Sequence, residues 1–349
     1  MRHILVTAVL VAASWVLQVA PSSAQADPDG RLLARSEIEF PSPEAFVHIV
    51  LDQSETSSVR DVRAEELKFY GNAQPYLDES IPILKKKMRD LEGLRAENQD
   101  GLHAVLNAAA ENLRELLENL PDLISNETLT QTEWTEPQTP ICTGMSGCLD
   151  PKPVAEKNQQ FNYIILTHPE GDRHLLLEEY RTTRDGRALK VGEEPHFKGF
   201  TSFWSIFTFS NLEESHFRYL GEQRENGRAT QVVAFEQIPG LVKSPATIVT
   251  PRGSVPMLLQ GIAWFDQKDH HMVRLRTGLL SPQLEIGYNE QTSDLQFGRA
   301  RIPAAGLSLW LPESLRIRTM AEGQLWEEQH HYSNFHLYKA KTKIILQPN

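Results

Sequence analysis

Two hydrophobic periods divide the chain. From about Val62 to Leu120 the repeat is helical: Leu67, Tyr70, Gln74, Leu77, Ile81, Leu84, Met88 and Leu91 recur at spacings of three and four, one face of a helix. Leu102, Leu106, Ala109, Leu113, Leu116 and Leu120 repeat the pattern. Glu92-Gly93 and Asn98-Gln99-Asp100-Gly101 break it between the two sets, and Pro121 stops the second. This predicts an antiparallel helical pair over residues 61–120, with Pro75 and Pro82 beginning or kinking helix segments, because each removes an intrahelical donor. The seam suits a dimer contact, but packing against the partner helix or the following domain is its simpler use.

Beyond Pro121 the period is two. Phe161–Leu166, His174–Tyr180, Phe217–Tyr219, Gln231–Phe235, Leu258–Phe265, Met272–Thr277, Leu295–Phe297, Leu315–Thr319 and Tyr332–Tyr338 are short β-prone runs. Turn signals at Pro169–Asp172, Arg184–Gly186, Glu225–Gly227, Asp266–Asp269 and Ala321–Gly323 sit where hairpins reverse. Val273, Leu275 and Thr277 alternate with Arg274 and Arg276, and Leu315, Ile317 and Thr319 alternate with Arg316 and Arg318, so one face is apolar and the other cationic. The expected architecture is α+β: a large curved antiparallel sheet over 121–349, with a covering helix, preceded by the helical pair. The aromatic run Phe200–Phe207 reads as a short helix, and it, the helical pair, a second sheet or a ligand are the candidates to cover the apolar face.

Composition narrows the class. The chain has 349 residues, 40% hydrophobic and 23% charged, a globular balance that excludes disorder and collagen-like repeats. A net charge of −11 argues against nucleic-acid binding, which needs a basic surface. The basic start Met1-Arg2-His3, the apolar run Ile4–Ala20 and the small-x-small triplet Ala24-Gln25-Ala26 predict a secretory signal peptide over 1–26, cleaved after Ala26. A polar segment, 27–60, then leads to the helical region, and no later stretch is apolar enough to span a membrane. Localisation is therefore expected to be periplasmic or extracellular.

Export bears on the two cysteines. Cys142 and Cys148 lie in a Gly/Ser/Pro-rich loop, and an oxidising compartment favours a disulfide staple there. A redox pair normally has C-x-x-C spacing, and a zinc site wants four ligands where only His168 is moderately near.

Other chemistry is thin. The pairs His270-His271 and His330-His331 stand out among twelve histidines, but neighbours on a strand point to opposite faces and cannot chelate one ion together; His271 meeting His331 across strands is the remaining metal reading. Glu178-Glu179 fails as a paired carboxylate for the same reason and reads as charge on an exposed face. G-x-S-x-G, H-E-x-x-H and phosphate-cradling glycine loops are absent. No catalytic residue, metal or cofactor is expected, and Lys85-Lys86-Lys87 reads as a solvated helix face.

The order Phe161–Leu166, Leu177–Thr182, Phe217–Gly221, Val232–Phe235, Val255–Asp266, Val273–Thr277, Leu309–Pro312 and His331–Phe335 resembles an uncharacterised family of secreted bacterial proteins, from about residue 60 to 340. More distantly, Gly261–Asp266 leading to Val273-Arg274-Leu275 resembles the hairpins of lipoprotein-localisation carriers. That resemblance implies an open half-barrel, plugged by helices, that takes up acyl chains. Trp204, Phe207 and Phe209 near the plug, with Phe217, Tyr219, Trp264 and Trp310 on strands, either line such a cavity or form a closed core. The resulting expectation is non-enzymatic binding of a hydrophobic small molecule or an acylated protein. A cell-envelope interaction module using the helical pair is the alternative, and a hydrolase of scattered residues the third; the oligomeric state stays open.

Overall fold

A computed structural model describes residues 45–51, 70, 73, 75–96, 99–135, 141–142, 148–149, 153–171, 173–190, 193–250 and 253–339. The expected signal peptide and its cleavage site lie outside these residues.

Twelve strands form one antiparallel sheet. In chain order they are β1 (Ala45–Val50), β2 (Arg95–Ala96), β3 (Leu123–Thr135), β6 (Pro153–Glu170), β7 (His174–Thr183), β8 (Ser215–Glu225), β9 (Arg228–Gln237), β12 (Leu259–Asp266), β13 (Met272–Leu279), β14 (Tyr288–Ile302), β15 (Leu307–Ala321) and β16 (Gln324–Leu337). β4 (Ile141–Cys142) pairs with β5 (Cys148–Leu149), and β10 (Ala246–Thr250) with β11 (Gly253–Met257), in separate two-stranded ladders. The spatial order of the large sheet is β1-β7-β6-β3-β16-β15-β14-β13-β12-β9-β8-β2, with β1 and β2 as free ends, so the sheet is not closed into a barrel. Side chains from β1 at one end and from β8 near the other nevertheless share one core, which requires the sheet to curve around it.

All five sequence-predicted turns are reversals. Two of them are two-residue hairpins, Asn226-Gly227 with φ of 47° and 80° and Glu322-Gly323 with φ of 50° and 75°, the double positive-φ pair that matches strand twist. The expected runs fall within strands apart from Leu258 and Tyr338 at their ends. Three strands of the large sheet add to them, the two-residue β2 at one edge among them. β3, near the middle of the sheet, carries Ser125 and Glu127 at buried inward positions and so lacks the apolar alternation that marks a strand. β1 joins the edge by pairing with β7.

The helical region departs from its pattern. Within 75–120 the helices are α1 (Ile81–Lys87), followed by a 3-10 turn at Arg89–Leu91, and α2 (Leu102–Glu118). Pro82 sits in the first turn of α1, where a missing N–H costs nothing, and a turn at Tyr76–Asp78 precedes it, so 75–91 is not one helix. Leu84, Met88 and Leu91 do form the expected seam, but it packs on Leu220, Val232, Ala234, Ile262 and Trp264. α2 buries Val105, Leu106, Ala109, Leu113 and Leu117 on the other face, with Val233, Phe235, Ala263 and Phe265. The expected antiparallel pair is therefore corrected: the two helices clamp β9 and β12 from opposite sides. β12 is buried along its whole length for this reason, and the unbroken apolar runs Val232–Phe235 and Ile262–Phe265 are the sequence trace of a two-sided burial.

The cationic convex face of β13 is also covered. Arg274 pairs with Asp294, Glu225 and Asp90, Arg276 pairs with Asp90, and the Arg274 guanidinium lies 5.0 Å from the Trp264 ring centroid.

Candidate functional site

The sheet's concave face is crossed by a short segment. α3 (Ser202–Ser205) and the 3-10 helix Phe209–Glu214 run from edge strand β1 toward β8, with the Ser210 hydroxyl donating to the Val50 carbonyl at 3.0 Å and Ile238 N to the Glu214 carbonyl at 2.8 Å. Phe200, Phe203, Trp204, Ile206 and Phe207 point into the core, as the aromatic run predicted. This is the plug.

Charged side chains buried in the concave face hold its leading end. Arg181 donates to Glu127 through Nε at 2.6 Å and Nη2 at 2.9 Å, and through Nη1 to the carbonyls of Phe197 (3.3 Å) and Lys198 (2.5 Å). Glu328 accepts from the amides of His196 (2.9 Å) and Phe197 (3.0 Å) and from Gln131 Nε2 (2.6 Å). Glu179 accepts from the amides of Phe200 and Thr201, the Thr201 hydroxyl at 2.8 Å, and the Tyr163 hydroxyl. Gly199 lies against the Glu179 carboxylate so closely that a Cβ there would collide with it. His330 Nδ1 is 2.7 Å from Glu127, and its Nε2 is 3.4 Å from Glu328, an ion-pair contact outside hydrogen-bond geometry.

Burial raises the Glu127 carboxyl's pKa, but Arg181 and His330 more than offset it and hold the group at about 2. Glu328 is likewise driven well below the carboxylate range, against burial, by His196 and His330. His330 is raised despite burial, by its contacts with these two acids. Glu179 moves the other way, raised by burial that its hydrogen-bond donors only partly counter. Glu178 and Glu179 face opposite ways, as alternation requires, but the expected exposed charge is corrected at Glu179, which is fully buried under the plug. His330 is buried beside Glu127 while His331 is exposed, and His271 lines a different cavity, so His271 and His331 do not share a site. Among the described residues no three His, Cys, Asp or Glu side chains group as metal ligands.

Beside this staple the plug, α2 and the sheet border a cavity of about 310 Å³. Its apolar lining is Leu113 and Leu116 from α2, Trp204 and Phe207 from the plug, and Phe265, Met272, Phe297, Leu309 and Trp310 from the sheet. Its polar lining is Asn112, Glu115 and Asn119 on α2 and His270, His271, Arg299 and Ser308 on the sheet side, of which Glu115, Asn119, Arg299 and Ser308 are exposed and form its rim. Asn112 Nδ2 donates to the Asp269 carbonyl at 2.6 Å, strapping α2 to the β12–β13 turn. Trp310 is fixed by donating Nε1 to the Met272 carbonyl at 2.6 Å, and its ring stacks on His271 at 5.3 Å and lies 4.7 Å below the Arg228 guanidinium. Burial lowers the His271 pKa.

Of the six expected ligand-site residues, Trp204, Phe207 and Trp310 line this cavity. Phe217 and Tyr219 pack in the continuous core instead, Phe217 against Phe207 and Phe235, while Phe209 is half-buried. Trp264 belongs to the opposite face, under α1, because it alternates with the inward-facing Ala263 and Phe265. Trp310 reaches the cavity through a bulge. Gln296 pairs with Ser314 but Phe297 pairs with Pro312, so Glu313 is the extra residue, and it turns Trp310 onto the side of Arg299. Simple alternation from Leu315 puts Trp310 with Arg316 and Arg318. The Lys85–Lys87 run lies on α1 away from the cavity; Lys85 donates to the Leu94 carbonyl and Lys87 pairs with Glu79. In the β4–β5 ladder the Cα atoms of Cys142 and Cys148 are direct partners.

Fold and cavity together define an open, plugged antiparallel half-barrel with an apolar chamber on its concave side. Solved structures of similar form include a domain from Vibrio parahaemolyticus named for outer membrane lipoprotein sorting (14% identity, 66% of this chain and 90% of that one, TM-score 0.34). A DUF1329 family protein from Desulfovibrio piger (10%, 70% and 95%, 0.36) and a LolA-superfamily protein from Nitrosomonas europaea (11%, 68% and 94%, 0.31) are also similar to this chain. No family model matches the chain, and no curated protein matches it. No helix among the described residues is long and apolar enough to cross a membrane.

Proposed function

We propose that this chain binds a hydrophobic ligand, a lipid or the acyl group of a modified protein, in the cavity between α2, the plug and the concave sheet face. Binding is non-covalent, and the protein works in the periplasm or outside the cell. One observation carries the reading: a chamber of about 310 Å³ whose lining brings aromatic and aliphatic side chains from α2, the plug and the sheet together with a few polar groups, among them the exposed Glu115 and Arg299. Ligand sites have this composition, with a small number of placed polar groups, and about 300 Å³ is the lower end of their usual size. Each methylene transferred from water into such a chamber contributes about 0.8 kcal/mol.

The interaction-module reading gains nothing from the helices. Their apolar seams are spent on opposite faces of the sheet and offer no common contact surface.

Native mass spectrometry of the purified chain, followed by titration with a fluorescent fatty acid, tests the proposal. Binding of one acyl probe, abolished in Ala109→Phe, is expected, since Ala109 borders the cavity and a phenyl ring there fills it. An Ala109→Phe variant that folds and binds the probe as well as the parent, or a parent that binds none, removes the cavity as the site.

A further inference from the structure

The rim of this cavity is electrically two-sided. On the sheet wall stands Arg299, on β14 directly opposite Trp310. It is exposed, and among the described residues no acid pairs with it. The second guanidinium nearby, Arg228, is occupied by Asp266 at 2.7 Å. On the α2 wall stands Glu115, also exposed and with no partner for its carboxylate among the described residues. Arg114, the cation next to it, is taken up by Glu111 and Glu118. Glu115 lies in the last turn of α2, where the helix ends in partial negative charge. Between the walls, His270 borders the cavity with Nδ1 buried and without a hydrogen-bond partner.

A lone anion held by Arg299 would face Glu115 and the negative helix end, and a lone cation at Glu115 would face Arg299. A head group that carries both charges satisfies both walls. Resting on the reading of the cavity as an acyl-chain site, we infer that its ligand is a single-chain zwitterionic amphiphile: the chain lies against Trp204, Phe207 and Trp310, the anionic group at Arg299 and the ammonium at Glu115. His270 Nδ1 supplies a hydrogen bond to the head group. Solvent-facing ion contacts are each worth a few tenths to about 1 kcal/mol, so the charges select the ligand while the chain supplies most of the affinity.

The test titrates the full chain, below micelle-forming concentrations, with four probes of one chain length: a lysophosphatidylethanolamine, the fatty acid, the alkylamine and the fatty alcohol. Calorimetry is expected to rank the zwitterion first, roughly ten-fold tighter than the alcohol, with Arg299→Gln and Glu115→Gln each weakening it about three-fold. The alcohol's affinity stays unchanged in both variants, which also reports that they fold. Equal binding of zwitterion and alcohol overturns the inference but leaves the acyl-chain site standing. So does a fatty acid that binds tightest and responds to Arg299→Gln alone. Failure of all four probes to bind removes the site itself.

Discussion

Arg181 donates two hydrogen bonds to Glu127, at 2.6 and 2.9 Å, with neither side chain exposed to solvent. A buried ion pair of this kind repays its desolvation only through geometry and further hydrogen bonds, and here the further bonds go to the backbone of the plug's leading end. Removing one partner leaves the other charge buried and alone. Arg181→Met or Glu127→Gln is therefore expected to lower stability by about 3–5 kcal/mol in urea unfolding, with the double variant losing less than the sum. A loss below about 1 kcal/mol from either single change contradicts the staple. Because Glu127 is held at about 2, its contribution is complete above the ordinary carboxylate range and disappears as pH falls from there toward 2.

Gly199 and Glu179 make a contact that depends on a missing side chain. Any Cβ at position 199 runs into the carboxylate that accepts from Phe200, Thr201 and Tyr163. Gly199→Ala is expected to cost about 1–3 kcal/mol and to increase amide exchange at residues 200–207 before the rest of the sheet opens. Unchanged exchange in that segment would show that the plug does not depend on the contact.

Glu214 ends the plug, with Oε1 buried and unpartnered. Burial raises its pKa to about 7, against opposition from the Lys243 amide and charge. The folded state thus resists ionising a group that the unfolded chain ionises near pH 4.3, and its contribution falls as pH rises from there to about 7. Glu214→Gln is expected to remove that fall and to gain about 1–2 kcal/mol at pH 7, with little difference at pH 4. Denaturation curves at the two pH values measure it, and an equal effect at both would contradict the raised pKa.

Cys142 and Cys148 are opposed in the β4–β5 ladder. Opposed residues in antiparallel strands have Cα atoms about 4.5–5.5 Å apart, inside the range a disulfide spans. We expect the chain recovered from an oxidising compartment to show no reactive thiol after denaturation. Cys148→Ser should cost less than about 3 kcal/mol, because the loop it opens is short. Two titratable thiols in the unreduced protein would refute the staple.

Local pattern and turn chemistry, read from the sequence, determined the antiparallel sheet, its five reversals and the short aromatic helix. These depend on neighbours a few residues apart, where alternation and turn residues act directly. Tertiary structure alone decided the rest. The seam of Leu84, Met88 and Leu91 is the same whether it meets a second helix or a sheet, and only the tertiary packing against Val232, Ala234, Ile262 and Trp264 puts it on the face opposite α2. The parity of Trp310 hangs on one unpaired residue, Glu313. The charges of Glu127, Arg181, Glu179 and Glu328 read as exposed in a linear chain, since what makes them tolerable inside is partners far away in sequence. The cavity has the same origin: plug, α2 and sheet all border it, and no single segment encodes a space between three others.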